Sequence, residues 1–285
     1  MFFYRAISTC RFNLNGIYLV TLPIGNHEDI TIRALNTLKE TKMVYCEDTR
    51  VFKDLCRKLE IIYSDKKIIS LHDHSDDRKV AELIEHARSM PCVFVSDAGS
   101  PIVSDPAFPI VKSAIKNDVP IYSIGGISSI ICALELSGLA PIPFHFHGFL
   151  ARDKSKRSID FENIHSQYGT HILFEGVSRV LDTLEVLTKE FSESDFVVAR
   201  ELTKEFESVY RFNASEFENI KADIYLKGEF VILISNQNKS VVKNSDIVKY
   251  ATEILDKGAK PKTVAKLVSQ ILDLNSKDVY QKIGR

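Results

Sequence analysis

Residues 17–22, IYLVTL, run directly into Pro23-Ile24-Gly25-Asn26, and this unit sets the pattern that the following residues repeat. A short apolar run closed by Pro and Gly reads as a buried strand ending in a tight turn. A helix is expected next, from about His27 to Thr41. Further strands are expected at Met43–Cys46, Lys67–Leu71, Cys92–Val95 and Pro120–Ile124. Each is followed by a helical stretch, at Thr49–Leu59, Asp76–Ser89, Phe108–Lys116 and Ser128–Leu136. The third of the five helices places Val80, Leu83, Ile84 and Ala87 on one face, the spacing of an amphipathic helix. Strands alternating with helices point to a mostly parallel sheet covered on both faces. Such sheets bind ligands outside the carboxyl ends of their strands, so the loops after the strands carry the chemistry.

Working outward, residues 137–143 (SGLAPIP) break both periodicities and read as a linker. Beyond them, strands are expected at His145–Leu150, His171–Phe174, Phe196–Glu201, Ser208–Phe212 and Phe230–Ile234, with helices near Ser178–Glu190 and Ala214–Lys221. This is a second α/β domain with a more mixed sheet. From Asp246 the pattern turns helical, over Ile247–Asp256, Lys262–Leu272 and Ser276–Ile283. The expected organisation is an extension over 1–15, an α/β domain over 16–140, a second over 144–238 and a helical tail over 239–285.

The 285 residues are 45% hydrophobic and 26% charged, which fits a globular chain with a core and excludes a disordered one. No apolar run is long enough to span a bilayer. Net charge is −1, so nucleic-acid binding would have to rest on local patches. One such patch is the tail, where ten Lys/Arg face five Asp/Glu; the rest of the chain carries 27 against 33. The five scattered cysteines form no C-x-x-C and suit a reducing, cytoplasmic setting. The first fifteen residues carry Arg5 and Arg11 and no acid, but are too short for a secretory signal.

The dinucleotide and P-loop fingerprints are missing. Small residues instead fill the loops after strands one, four and five. Gly25 can take positive φ or admit a ligand to the backbone. In residues 96–106, SDAGSPIVSDP, Asp97 can accept from ribose hydroxyls or an ammonium, while Ala98 and Gly99 let backbone amides approach a flat ligand. Residues 125–129, GGISS, occupy the same topological place, with Ser128 also suited to cap a helix. His72 with His74, and His145 with His147, could share a strand face as metal ligands do, but no third ligand stands at a usable spacing, and core histidines are the favoured reading. Glu47 and Asp48 end the second strand, Arg152, Lys154, Lys156 and Arg157 form a basic loop, and residues 199–204, ARELTK, mix charges into a strand end.

Taken in order, LPIGN (22–26), EDTR (47–50), SDAGSPIVSDP (96–106), GFL (148–150), FEGVSR (174–179) and ARELTKEFE (199–207) resemble the tetrapyrrole-methylase superfamily, in its branch acting on ribosomal RNA. The resemblance implies two α/β domains with S-adenosylmethionine in the cleft between them, a homodimer, and 2′-O-methylation of a cytidine of 16S rRNA in the small ribosomal subunit. It implies cofactor contacts at Pro23, Asp97, Ser100, Ser128, Ser129 and Phe174, beside Gly25 and Gly99 from the loops above. Where the family carries a base after GFL, this chain has Asp153.

A 2′-hydroxyl is a weak nucleophile and benefits from a nearby base or cation. Lys204 and Glu201 are the candidates, with Glu175 behind them. RNA contacts are expected from Arg50, Arg152, Lys154, Lys156, Arg157, Arg179 and Arg200, and from the basic tail; no metal is expected. A tetrapyrrole or protein methylase would share the cleft without the EDTR and ARELTK pairing. A non-catalytic RNA binder would not need the small-residue loops, and a nucleotide hydrolase would need a larger carboxylate cluster.

Overall fold

The computed structural model describes residues 14–71, 77–104, 107–237, 244–272 and 275–283. The expected N-terminal extension and the His72/His74 pair therefore fall largely or wholly outside the described residues. Among those described, no helix is long and apolar enough to cross a membrane.

The first sheet has five strands, β1 (Gly16–Val20), β2 (Met43–Cys46), β3 (Lys67–Ser70), β4 (Pro91–Val95) and β5 (Ile121–Ile124), ordered β3-β2-β4-β1-β5 and parallel throughout. Side chains alternate across a strand, so a run apolar at every position feeds two cores. Tyr18, Val20, Val44, Cys46, Val93 and Val95 pack on α1 (Ile32–Glu40) and α2 (Thr49–Lys58). Ile17, Met43, Tyr45, Cys92 and Phe94 pack on α3 (Asp77–Ser89) and α4 (Ala107–Lys116).

The expected continuous helix from His27 to Thr41 is in fact two pieces. A single 3₁₀ turn, His27–Asp29, is capped by Asn26, and the chain then extends at Ile30 and Thr31. The Thr31 hydroxyl accepts from the Ala34 amide and starts α1 afresh.

The second sheet orders β6 (Phe144–Phe149), β7 (Gly169–Gly176), β8 (Asp195–Arg200), β9 (Ser208–Asn213) and β10 (Glu229–Asn236) as β6-β7-β10-β8-β9. Only β6 and β7 are parallel, so it is the mixed sheet the pattern suggested. One face is covered by α7 (Val180–Glu190) and by Ile164 of α6 (Lys154–Ser166). The helix α6 replaces the expected basic loop. Asp153, the acid at a position where a base was expected, accepts from the Lys156 amide and caps it.

The other face of this sheet is covered from the first half of the chain. Helix α5 (Ser129–Ser137) lays Ile130, Ala133 and Leu134 on Ile172, Val197, Ala199, Val231 and Leu233. Arg211 of β9 donates to Ser137 O at 3.2 Å and to Leu136 O, tying down the end of α5. A helix read with the first domain is thus packed into the second.

The tail forms α9 (Asn244–Asp256), α10 (Pro261–Leu272) and α11 (Ser276–Ile283), after the short α8 (Phe217–Ile220). Ala251, Val264, Ala265, Val268 and Val279 make a core among themselves. Of the histidines, His171 is fully buried and His147 Nε2 lies 2.8 Å from its Nδ1, while His171 Nε2 meets Gln167 O at 3.0 Å. Burial lowers the His171 pKa to about 4, which fits a neutral core histidine.

Candidate functional site

At the carboxyl end of the first sheet lies a cavity of about 420 Å³, within the range of small-molecule sites. The loops after β1 and β4 are zipped together above the sheet: the Leu22 amide donates to Gly99 O at 2.9 Å and the Gly99 amide to Leu22 O at 3.2 Å. Gly99 sits at φ +67, where a side chain would be strained. Asp97 beside it is exposed, and its Oδ1 accepts from the Asp48 amide at 3.0 Å, joining the loop after β2. Asp48 itself caps α2 and is paired with Arg50 at 2.6 Å, which holds its carboxyl well below the usual range.

Asp97, Gly99 and Ser100 form one wall of the cavity, with Ser128 and Ser129 forming another. Ser128 is the N-cap residue of α5, yet its hydroxyl makes no capping bond. The first turn of α5 is therefore left with amide donors at the cavity, where the helix dipole favours oxygen acceptors. Phe174 faces these loops from β7, meeting Phe146 and Phe149 edge-on at centroid distances of 4.8 and 5.7 Å. Pro23 is itself buried, and the following Ile24 supplies the wall instead.

The Gly25 expectation is only partly met. A Cβ there would lie 2.4 Å from Lys204 Cγ and 2.9 Å from Thr203 Oγ1, so its missing side chain admits the neighbouring loop of the second domain. The Asn26 amide donates to Thr203 Oγ1 at 3.1 Å across the same seam. That loop is unusual: Glu201 and Thr203, neither a glycine, take φ of 51 and 64.

Within it, Lys204 Nζ donates to Glu201 Oε1 at 2.8 Å and to Glu229 Oε2 at 2.9 Å. Glu201 Oε1 also accepts from the Glu229 amide at 3.0 Å, while the Glu201 amide donates to Glu229 O at 3.0 Å. Burial opposes the Lys204 charge, but the two carboxylates outweigh it and raise the pKa, which favours the ammonium form. Burial raises the Glu201 pKa, and its hydrogen bonds bring it below the ordinary value. Gly228 makes the arrangement possible, because a Cβ there would lie 2.3 Å from the Glu201 carboxyl.

Sequence reasoning missed Glu229, whose only local signal is the glycine before it.

Glu175 lines the cavity but is 3% exposed and fully engaged. It accepts from the Gly176 amide, from Thr183 Oγ1 at 2.7 Å and from Arg179 at 2.6 Å. Arg179 also reaches Leu150 O, so it buttresses the wall.

Of the basic cluster, Arg152 and Lys156 are exposed at the start of α6, and Arg157 spends its Nε on Ala151 O. The side chain of Lys154 is outside those described. Arg200 corrects an expectation outright. It is 4% exposed and donates to Lys227 O, Phe206 O and Ser208 Oγ, with its guanidinium 4.8 Å from the Tyr225 ring centroid. A guanidinium this buried, with its Nε and Nη1 engaged inside the fold, is withdrawn from RNA; Arg200 clamps the 201–208 loop to the segment leading into Glu229.

Residues 16–218 match the family model of tetrapyrrole (corrin/porphyrin) methylases. A ribosomal RNA small subunit methyltransferase I from Streptococcus pyogenes serotype M18 is 35% identical over 273 residues, covering 93% of each chain. Among solved structures, a diphthine synthase superposes with a TM-score of 0.61 at 19% identity, over 77% of this chain and 89% of that one. A Thermus thermophilus uroporphyrin-III C-methyltransferase complexed with S-adenosyl homocysteine gives 0.52 at 16%, over 78% and 97%. At such identities these two structures carry the fold alone.

The clamp gives a first prediction. Arg200→Ala strands buried carbonyls and should lower unfolding stability by about 2–4 kcal/mol in urea titrations. RNA affinity of the folded variant should keep the wild-type salt slope; a slope reduced by one contact would return Arg200 to the RNA surface.

Proposed function

Because this chain belongs to the tetrapyrrole methylase family, we propose that it is a methyltransferase that uses S-adenosylmethionine to methylate small-subunit ribosomal RNA, at the ribose 2′-oxygen of a cytidine. The relative from Streptococcus pyogenes supports the RNA substrate by its name and its coverage of nearly the whole chain. The observation that carries the reading is the cavity itself, with small-residue loops on one side and Leu202, Gly228 and Glu229 of the second domain on the other.

The residues present fit such a cofactor. Exposed Asp97 offers an acceptor to an ammonium or to ribose hydroxyls, the start of α5 offers donors to a carboxylate, and Phe174 offers an apolar surface. When bound, the cofactor supplies a methyl group made electrophilic by a sulfonium. The chain's part is to hold the ribose oxygen in line with that methyl and keep water away, which alone can supply much of the rate. Lys204, outside the cavity lining, brings its positive charge to bear through Glu229, which does line the cavity, and Glu201 and Glu175 position their neighbours.

RNA is held by local patches. Arg152 and Lys156 stand exposed at the start of α6, and Lys257, Lys260, Lys262, Lys266 and Lys277 stand exposed on the tail. Arg50, with its side chain 89% exposed, is a further contact despite its pairing to Asp48. The protein acts in the cytoplasm, where its substrate is made. It works as a homodimer, for which Ile142, Phe144 and Tyr168, exposed around the start of β6 and β7, offer apolar surface.

Four measurements test this reading. Asp97→Ala should weaken S-adenosylmethionine binding about 10–100-fold in calorimetry, the loss of a polar contact worth ~1.4–3 kcal/mol. Mass spectrometry of small subunits treated with the wild-type protein should find the methyl on a cytidine ribose, and a methylated base would refute the 2′-O assignment. Removing residues 239–285 should weaken RNA binding and flatten its salt dependence, by ~0.7–0.9 in log–log slope per lost phosphate contact, without moving the methylated position. In sedimentation, a species of only 32.3 kDa at micromolar concentration would rule out the dimer.

A further inference from the structure

The ring around Lys204 leaves one group pointing onto the cavity. Glu229 lines it, its side chain is 81% exposed, and its Oε2 accepts from Lys204 Nζ at 2.9 Å. Among the described residues no donor meets its Oε1. The other two members of the ring are turned inward, with Lys204 29% and Glu201 17% exposed.

The local backbone is shaped to hold this carboxylate. Two non-glycine residues, Glu201 and Thr203, carry positive φ, and Gly228 at φ +97 gives way to the Glu201 carboxyl. Strain of this kind persists only where the surroundings enforce it, and it marks sites where a group must be placed. Placement is enforced from both ends of Glu229, through its carboxylate by Lys204 and through its amide and carbonyl by Glu201.

We propose that Glu229 is a catalytic residue of the methyl transfer, its Oε1 accepting the proton of the ribose hydroxyl, with Lys204 and Glu201 as the positioning residues that aim it. The inference rests on the ribose reading above. In the step, the hydroxyl oxygen forms a bond to the methyl carbon as the carbon–sulfur bond breaks. That bond's electron pair stays with sulfur, which becomes a neutral thioether. The O–H proton passes to Glu229 and then to water. The neighbouring ammonium keeps the carboxylate oriented, and its charge balances one of the two carboxylates it touches.

The test is Glu229→Gln, which retains an amide oxygen for Lys204 and removes the proton acceptor. With an exposed side chain of the same shape, the variant should unfold at the wild-type temperature. S-adenosylmethionine affinity by calorimetry should stay within about twofold, because the change is aimed at the hydroxyl. Single-turnover methylation of small ribosomal subunits should fall by about 10²–10⁴-fold, the usual worth of a positioned base. Glu229→Asp, which keeps the carboxylate at a shorter reach, should recover part of that loss. A Glu229→Gln rate within threefold of wild type overturns the proposal. So does a loss of donor affinity that matches the loss of rate, which would make Glu229 a cofactor ligand. If the wild-type protein fails to bind S-adenosylmethionine or methylates a base, the ribose reading itself fails and this proposal with it.

Discussion

Burial of α5 against the second sheet is the constraint on which the cleft depends. The helix begins at the ligand edge of the parallel sheet and ends pinned by Arg211 of β9. Its apolar residues Ile130 and Leu134 each contribute about 1.5–3 kcal/mol when withdrawn from water. Those contacts fix one sheet over the other. Ser128 and Ser129 at its start are thereby held across the cavity from Phe174, and the loop after β8 is held against Gly25.

Polar contacts then finish what apolar burial begins. The seam carries the Asn26–Thr203 hydrogen bond, and the Lys204 ring closes on it from the second domain. The Lys204–Glu229 pair, with its carboxylate 81% exposed, adds little to stability. The value of these contacts is geometric: they keep a carboxylate, an ammonium and a helix start around one cavity, already oriented before a ligand arrives.

Much of this could be read from residues alone. The five strand–helix units follow from apolar runs and turn residues, both local signals. The small-residue loops stand out because the strand order is regular enough to say where each loop lies. What escaped notice depends on distant partners. Nothing near Ile130 says that it packs on Val197, and nothing near Arg200 reveals that it is buried with donors turned to the carbonyls of Lys227 and Phe206. Glu229 begins a strand like many other charged residues, and gains meaning only when Lys204 arrives from a loop elsewhere. The break at Thr31 and the cap at Asp153 were local and could have been found, since Thr and Asp are strong helix starters.

The left-handed backbone at Thr203 has a consequence for how this protein can change. Glycine there would relax a conformation that costs a threonine on the order of 1 kcal/mol or more. It would also delete the hydroxyl that receives the Asn26 amide and joins the two halves of the cleft. Robustness and alignment are thus opposed at a single residue. Substitutions that harden the fold are easily accommodated elsewhere, but here the sturdier backbone would be bought with a looser seam.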